Sequence, residues 1–148
     1  MDTDSEQLQQ MLAQLRQMNP KVMDEFRANS GQVGGMFAGF PLLILTVIGR
    51  KSGQAREVPL VYFEDGGHVY IIASKGGYPE HPIWFDNLVA HPDVTIERGT
   101  DKYKARAVIL EGAERDGIFA KVGAAMPNFA EYQAKTTRKI PVIRLDRA

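Results

Sequence analysis

The sequence predicts an α+β protein in which about six mostly antiparallel strands form a closed or split β-barrel with flanking helices. Three observations indicate this fold. Short apolar segments rich in branched residues follow one another from residue 42 onward, and glycine-containing turns join most of them as hairpins. No GxGxxG motif and no regular alternation of strands and helices marks a Rossmann domain. The 148 residues suit one main domain.

The N-terminal segment is predicted to be helical. Residues 5–18 have the apolar spacing of an amphipathic helix, and Pro20 is expected to end or interrupt it before a short helix over residues 20–28. The glycines of residues 30–39 indicate a flexible connection, so residues 1–34 are predicted to precede the barrel domain. Three alternative partners are open for the apolar face of this helix: the protein core, a second subunit and a membrane. The composition of the face favours the first two. That face is formed by Leu8, Met11, Leu12, Leu15 and Met18.

Local patterns predict the remaining elements. Residues 42–48 are a continuous apolar run, which is typical of a strand buried on both faces. The residues Glu64-Asp65-Gly66-Gly67 indicate a hairpin, and Gly99-Thr100-Asp101 indicates a second one. The predicted strands are 42–48, 56–63, 68–74, 93–98, 102–111 and 140–145, and the predicted helices are 82–90, 113–125 and 128–135.

Composition excludes several classes of protein. The sequence contains no cysteine, so disulfides and thiolate catalysis are excluded. Lysine plus arginine and aspartate plus glutamate each number 18, which argues against a general nucleic-acid binder. No apolar run is long enough to span a membrane and the first twenty residues are mostly polar, so we expect a cytoplasmic protein without a signal peptide. The histidines His68, His81 and His91 lack metal-ligand spacing.

Positive charge is concentrated at one place in the middle of the chain. Residues 31–96 carry four basic and six acidic side chains, and the basic ones are Arg50, Lys51, Arg56 and Lys75. The first three lie with Ser52 in or beside a glycine turn between two strands, where backbone N–H groups and cations can bind an anion. The alternative is a solvated hairpin loop, which charge alone favours.

Three further motifs are candidates for a ligand site. The segment 74–77 (Ser-Lys-Gly-Gly) ends an apolar strand, and its glycines allow close approach of a ligand. Trp84 and Asn87 share a helix face, where an indole can cover a flat ring and an amide can bond to it. Phe129 and Tyr132 also share a helix face and can line an apolar pocket. The alternatives are an ordinary turn and ordinary core packing.

The order and spacing of these segments resemble the deazaflavin-dependent nitroreductase family of actinobacteria, over roughly residues 35–144. The resemblance implies a split β-barrel like that of flavin mononucleotide-binding oxidoreductases, with coenzyme F420, an 8-hydroxy-5-deazaflavin, as cofactor. It also implies hydride transfer from reduced F420 to quinones, nitroimidazoles or activated enones. The segments that carry it are 49–54 with Arg56, 65–67, 73–77, and 82–84 with Asn87 and Leu88.

The resemblance also implies a set of site residues. Ser74 is expected near the reactive carbon, and Ser74 or Tyr132 is expected to polarise or protonate the acceptor. Val61, Met126 and Phe129 stand where nitroimidazole-activating members carry tyrosine, which implies a more apolar acceptor site. The residues expected to bind the cofactor are Arg50, Lys51, Ser52, Arg56, Pro59, Leu60, Val61, Ile72, Ala73, Ser74, Lys75, Ile83, Trp84, Phe85, Asn87 and Phe129.

The resulting hypothesis is an F420H2-dependent reductase with its reductase domain in residues 35–148 and a small-molecule hydride acceptor. One alternative is an F420 carrier without a reaction of its own. Another is a split barrel that binds flavin mononucleotide or haem. Two associations stay open at this point: a homodimer and a peripheral contact with the inner face of the cell membrane.

Overall fold

The computed structural model describes residues 3–148, apart from the side chains of residues 3–5, 8, 11, 15, 16 and 36. The strands are β1 (Leu42–Ile48), β2 (Ala55–Asp65), β3 (His68–Ile72), β4 (Asp93–Arg98), β5 (Asp101–Ile109) and β6 (Val142–Arg147). The α-helices are α1 (Thr3–Ala28), α2 (Ile83–Ala90), α3 (Gly112–Ala125) and α4 (Pro127–Ala134). Short 3₁₀ turns lie at Gly35–Phe37 and Lys75–Gly77.

The strands form a closed barrel in the order β1-β2-β3-β6-β5-β4, with β4 paired to β1 and every pair antiparallel. This confirms the predicted fold. Asp65 pairs with His68, so the first hairpin loop is Gly66-Gly67, and both glycines have positive φ (58° and 81°) as a two-residue hairpin turn requires. Arg98 pairs with Asp101, which belongs to β5 and not to the turn in which it was expected.

Strand β1 is buried on both faces, as predicted. Leu43 and Leu45 belong to the cluster inside the barrel, whereas Ile44 packs with the cluster under α1, and all three are fully buried. Because successive side chains of a strand point to opposite faces, a helix on the outer face accounts for the continuous apolar run.

Helix α1 continues through Pro20, so the predicted break there is wrong. A proline in a helix interior loses one hydrogen bond at a cost of about 3 kcal/mol. Val22 and Phe26 are buried against Leu42 and Ile44, and this burial offsets the cost of the lost hydrogen bond. Burying each large apolar side chain stabilises the fold by roughly 1.5–3 kcal/mol.

Ion pairs as well as apolar contacts join the C-terminal half of α1 to the barrel. Arg27 forms ion pairs with Glu57 of β2 and with Glu97 of β4, the latter at 2.8 Å. The hydrogen bond from Arg27 lowers the pKa of Glu97. The barrel is therefore one partner of this helix. The predicted domain boundary after residue 34 stays a prediction, and the predicted face residues Leu8, Met11 and Leu15 have side chains outside the described part of the chain.

No helix of the described residues is long and apolar enough to cross a membrane.

Candidate active site

A cavity of about 1320 Å³ lies beside β2, between that strand and the surrounding helices. Strand β2 has a free edge here, because β2 and β3 pair only from Tyr62 to Asp65, whereas β1 pairs with β2 from residue 55 onward. The free edge explains how β2 accommodates Pro59, which has no N–H to donate to a second neighbour. The barrel is therefore closed between β2 and β3 at residues 62–65 of β2 and lacks this pairing along residues 55–61, beside the cavity.

Most of the predicted site residues line this cavity. They are Arg56, Pro59, Leu60, Val61, Ile72, Ser74, Lys75, Ile83, Trp84, Asn87, Phe129 and Tyr132. Four elements distant in sequence supply them: β2, the end of β3 with the turn after it, and the helices α2 and α4. The predicted motifs therefore lie around one space.

Five predicted cofactor residues do not line the cavity, and two of these, Ala73 and Phe85, are buried. The side chains of Ala73 and Phe85 are buried in the cluster inside the barrel. Both backbone groups of Ala73 are also engaged, its N–H with the carbonyl of Pro141 and its own carbonyl with Arg138. Neither side chain lines the cavity, and the contact of these two residues with the cofactor stays a prediction.

The predicted residues Arg50, Lys51 and Ser52 lie in the exposed turn between β1 and β2 and are also absent from the cavity wall. The Ser52 hydroxyl accepts a hydrogen bond from the Gln54 N–H at 3.2 Å, which stabilises the turn. The Asn87 side-chain oxygen accepts from the Arg50 N–H at 3.0 Å and so ties the turn to α2. The ion pairs of the described residues involve other cations, which leaves both basic side chains of the turn available to an anion.

Asn87 is buried, yet it reaches the cavity. Its side-chain N–H₂ group donates to no acceptor within the described residues, and its oxygen holds Arg50. A buried amide with a free donor is suited to a ligand oxygen in the cavity.

The turn after β3 has an uncommon backbone. Lys75, Gly76 and Gly77 all have positive φ (46°, 61° and 83°). A side chain at Gly77 would place its Cβ 2.6 Å from the carbonyl oxygen of Tyr132, so glycine permits close contact between this turn and α4. The Lys75 ammonium lies 4.8 Å from the centre of the Tyr78 ring.

Arg138 holds this turn in place, and the sequence analysis did not identify it. Its guanidinium donates to the carbonyl oxygens of Ala73 (3.0 Å), Ser74 (2.8 Å) and Tyr78 (3.0 and 3.2 Å), and Nη1 lies 2.9 Å from Nδ1 of His81. Since an arginine only donates, Nδ1 of His81 must accept, which requires a neutral ring. Burial and the neighbouring guanidinium lower the pKa of His81 accordingly.

The N-terminal helix forms a wall of the cavity, which the sequence analysis also did not predict. Gln9, Leu12 and Asn19 line it from α1, and the Gln9 amide donates to the Tyr78 hydroxyl at 3.1 Å. Phe37 and Phe40 extend this wall after the helix ends. The amphipathic pattern could have pointed to Leu12, but no local signal marks what it faces.

Val61, Met126 and Phe129, which stand where nitroimidazole-activating members carry tyrosine, do not all lie at the cavity. Val61 and Phe129 line the cavity, whereas Met126 is buried in the cluster between α3, α4 and the barrel. The ring of Tyr132 meets that of Phe129 edge to face at 5.9 Å. This end of the cavity therefore combines the apolar side chains of Val61 and Phe129 with the polar residues Asn128 and Tyr132.

The described residues hold no group of three or more histidine, cysteine, aspartate or glutamate side chains that could bind a metal ion.

Comparison with known proteins assigns the chain to a family. The family model of F420H(2)-dependent quinone reductases matches residues 18–146. The chain belongs to this family. An F420H(2)-dependent quinone reductase of Mycobacterium tuberculosis (strain H37Rv) is 36% identical over 126 residues, which cover 82% of this chain and 85% of the relative.

Solved structures agree with the assignment to the quinone reductase family. An F420-H2-dependent reductase (FDR-A) is 41% identical with a TM-score of 0.66, covering 72% of this chain and 94% of that one. A structure described as a domain-swapped dimer is 37% identical with a TM-score of 0.68, covering 84% and 94%. The haem storage protein HutZ of Vibrio cholerae, at 14% identity, TM-score 0.57 and coverage of 85% and 87%, shares the fold alone.

As a member of the quinone reductase family the protein is an oxidoreductase, and its cofactor is coenzyme F420. The residues of the cavity fit that group. The apolar walls around Pro59 and Trp84 suit a flat ring system, Arg56 and Lys75 add cations, and Asn87 has a free donor. A cavity of about 1320 Å³ also exceeds the roughly 300–1,000 Å³ usual for one small ligand.

Proposed function

We propose that the protein binds reduced F420 along the free edge of β2 and transfers its hydride to a quinone bound in the same cavity. The observation that carries this proposal is the cavity itself, which has a volume of about 1320 Å³ and combines apolar walls with cations. Holding donor and acceptor side by side in a water-poor site is the main requirement of such a reaction.

The cationic residues are assigned to the acidic part of the cofactor. Arg56 and Lys75 reach the cavity, and Arg50 and Lys51 lie in the turn that Asn87 ties to its rim. Arginine provides a fork for phosphate or carboxylate and lysine a point charge. An exposed cluster of this kind suits an extended polyanion, and its attraction weakens with salt.

The apolar residues are assigned to the rings. Pro59, Leu60 and Val61 offer one continuous stretch of wall, and Ile72, Ile83, Trp84 and Phe129 complete it. Bound F420H2 supplies the hydride, so these side chains serve to orient the reactants and exclude water. The residues with a hydroxyl group on the wall are Ser74, Tyr78 and Tyr132, and Ser74 and Tyr132 are the ones proposed to donate to the acceptor oxygen.

Quinones are proposed ahead of nitroimidazoles and enones. Val61 and Phe129 give the acceptor end apolar side chains where the resemblance implies tyrosines in nitroimidazole-activating proteins. An apolar wall discriminates weakly against added polar groups, so activated enones and nitro compounds are proposed as slower substrates.

The test is turnover. We expect oxidation of F420H2, followed by its absorbance, to accelerate when the protein and menadione are both present. Titrations with F420, flavin mononucleotide and haem accompany it. Tight binding of F420 without turnover across a panel of quinones, enones and nitro compounds would instead identify a carrier, and preferential binding of flavin mononucleotide or haem would refute the assignment.

Charge variants test the binding assignment. Lys51→Ala and Arg56→Ala should each weaken F420 binding, and added salt should weaken the wild type more than the variants. Arg106→Ala is a matched control, since Arg106 is an exposed arginine paired with Asp93 on the barrel wall. Unchanged affinity in the first two variants would contradict the proposed anion site.

A homodimer and a cytoplasmic location are also proposed. The related domain-swapped dimer supports the first, and the absence of cysteine fits a reducing compartment. Light scattering gives the oligomeric state. Pelleting with anionic liposomes tests the peripheral membrane contact, which unchanged partition on removal of residues 1–20 would exclude.

A further inference from the structure

Strand β2 presents its edge to the cavity, and not only one of its faces. Val58 and Leu60 pack with the cluster inside the barrel, whereas Val61 packs with the clusters outside it. All three line the cavity nonetheless, together with Pro59. Since neighbouring side chains of a strand point to opposite faces, a cavity that touches both faces also borders the backbone edge between them.

The register of β2 shows which backbone groups point to this edge. The Tyr62 N–H donates to the carbonyl of Pro41, which lies on the β1 side of the strand. Successive residues of an antiparallel strand direct their N–H and C=O groups alternately to the two sides. The even-numbered residues of β2 therefore bond to β1. The groups of the odd-numbered residues Glu57, Pro59 and Val61 point to the free edge.

Pro59 leaves a gap in the donors of the free edge. Its ring nitrogen carries no hydrogen, so this position contributes a carbonyl oxygen alone. The nearest N–H groups with the same direction belong to Glu57 and Val61, each roughly 7 Å away at about 3.3 Å per residue. Pro59 is buried, which limits the access of water that could supply a donor. A ring that lies against this point meets apolar surface and an acceptor, but no backbone donor.

A wall without a donor distinguishes between two related ring systems. Flavin and 5-deazaflavin differ in the central ring, where flavin has a nitrogen with a lone pair and 5-deazaflavin has a carbon with a hydrogen. In water the nitrogen accepts a hydrogen bond, which it loses when it is buried against a surface that cannot donate. The carbon has no such bond to lose. The surface at Pro59 therefore favours the deazaflavin.

We propose that Pro59 is a specificity-determining residue, which selects a 5-deazaflavin over a flavin by withholding an N–H from the edge of the bound ring. The inference rests on the proposed function, in which the cofactor lies along the free edge of β2. Proline on an edge strand also protects the edge from pairing with another strand. That protection does not depend on which ring is bound, so the two roles predict different results.

Binding of a matched pair of ligands tests the selection without turnover. Flavin mononucleotide and 5-deazaflavin mononucleotide have the same phosphate and ribityl chain and differ at one ring position. Quenching of Trp84, the single tryptophan and part of the cavity wall, reports the binding of both. Wild type should bind the deazaflavin roughly 5–100-fold more tightly, as for a buried acceptor left without a partner. Equal affinities, or binding of neither compound, would overturn the proposal.

Two variants restore the missing N–H. Pro59→Ala and Pro59→Val differ in side-chain volume, so a change that they share reports the gained donor. Each should reduce the preference for the deazaflavin about fivefold or more. Leu60→Ala is the matched control, because it truncates a neighbouring side chain of the cavity whereas its N–H faces β1. It should weaken both ligands alike and keep their ratio.

The ratio of the two affinities decides the outcome, and thermal unfolding verifies that each variant is folded. An unchanged ratio in the Pro59 variants would show that the proline serves only to protect the edge. An equal change in Leu60→Ala would assign the preference to packing, and either result refutes the selection. One folded Pro59 variant is enough for this comparison.

Failure of this inference and failure of the proposed function give different results. The binding measurement uses neither F420H2 nor an acceptor. A wild type that does not reduce quinones refutes the proposed function and leaves the ratio as a test of Pro59. A wild type that reduces quinones but does not discriminate between the two rings refutes the role of Pro59 alone.

Discussion

Replacing Gly77 by alanine is expected to destabilise the protein through the positive φ of this residue and its close contact with α4. The φ of 83° costs an L-residue about 1–2 kcal/mol, and the new Cβ would lie 2.6 Å from the Tyr132 carbonyl oxygen and 3.1 Å from Cβ of Lys135. Overpacking of this kind typically costs a further 1–3 kcal/mol or so. We therefore expect a loss of roughly 2–5 kcal/mol in the free energy of unfolding.

Gly67→Ala is the matched control. Gly67 has nearly the same φ, 81°, but a Cβ there would meet nothing within 4 Å, so only the conformational cost remains. Urea unfolding of both variants should show a difference of about 1–3 kcal/mol, and thermal unfolding a Tm lower by roughly 2–12 °C in Gly77→Ala. The KM for menadione should rise in Gly77→Ala alone, because Tyr132 lines the cavity. Equal stabilities of the two variants would refute the reasoning.

Three further predictions concern other parts of the molecule. Phe26→Ala should cost about 3–5 kcal/mol in urea unfolding, because its ring is 1% exposed under α1, and a loss below about 1 kcal/mol would show that the helix contributes little. Asn87→Leu should weaken F420 binding several-fold in a fluorescence titration, since the Arg50 N–H loses its acceptor and the cavity loses a donor; unchanged affinity would contradict this. Burial and the charge of Arg138 lower the pKa of His81 in the folded protein. At pH values below the ordinary pKa of 6.5, the unfolded protein therefore binds more protons at this histidine than the folded protein does. The free energy of unfolding should decrease as the pH falls through 6.5. His81→Gln should make this slope shallower by up to about 1.4 kcal/mol per pH unit, and an equal slope in both proteins would contradict the shift.

The fold could be predicted from the sequence because its elements depend on local patterns. The observed bounds of β1 and β4 coincide with the predicted ones, since β1 is an apolar run that ends before Gly49 and β4 has alternating buried residues and ends before Gly99. The hairpin at Gly66-Gly67 follows from the conformational freedom of two glycines. Pro20 was misjudged for the opposite reason, because the packing that compensates its missing hydrogen bond lies in another part of the chain.

The candidate site was predictable only where its residues lie within recognisable motifs. Ser74, Trp84 and Tyr132 each belong to a short motif, and each lines the cavity. Arg138 lies 60 residues from Tyr78, and Gln9 lies 69 residues from it, so neither contact leaves a local signal. Such residues depend on topology, which a single sequence does not display. The roles assigned to the site residues stay predictions.

The strand order has a consequence for biosynthesis. β1, β2 and β3 pair as neighbours along the chain, and so do β4 and β5, but β6 inserts between β3 and β5. A nascent chain emerging from the ribosome therefore exposes two unpaired sheet edges until residues 142–147 leave the exit tunnel. Unpaired edges are prone to aggregation, so the interval before β6 emerges is when a chaperone that covers strand edges would benefit this protein most. A translational stall or a stop codon before residue 142 would leave one open sheet in the order β3-β2-β1-β4-β5, in which β3 and β5 are unpaired edges.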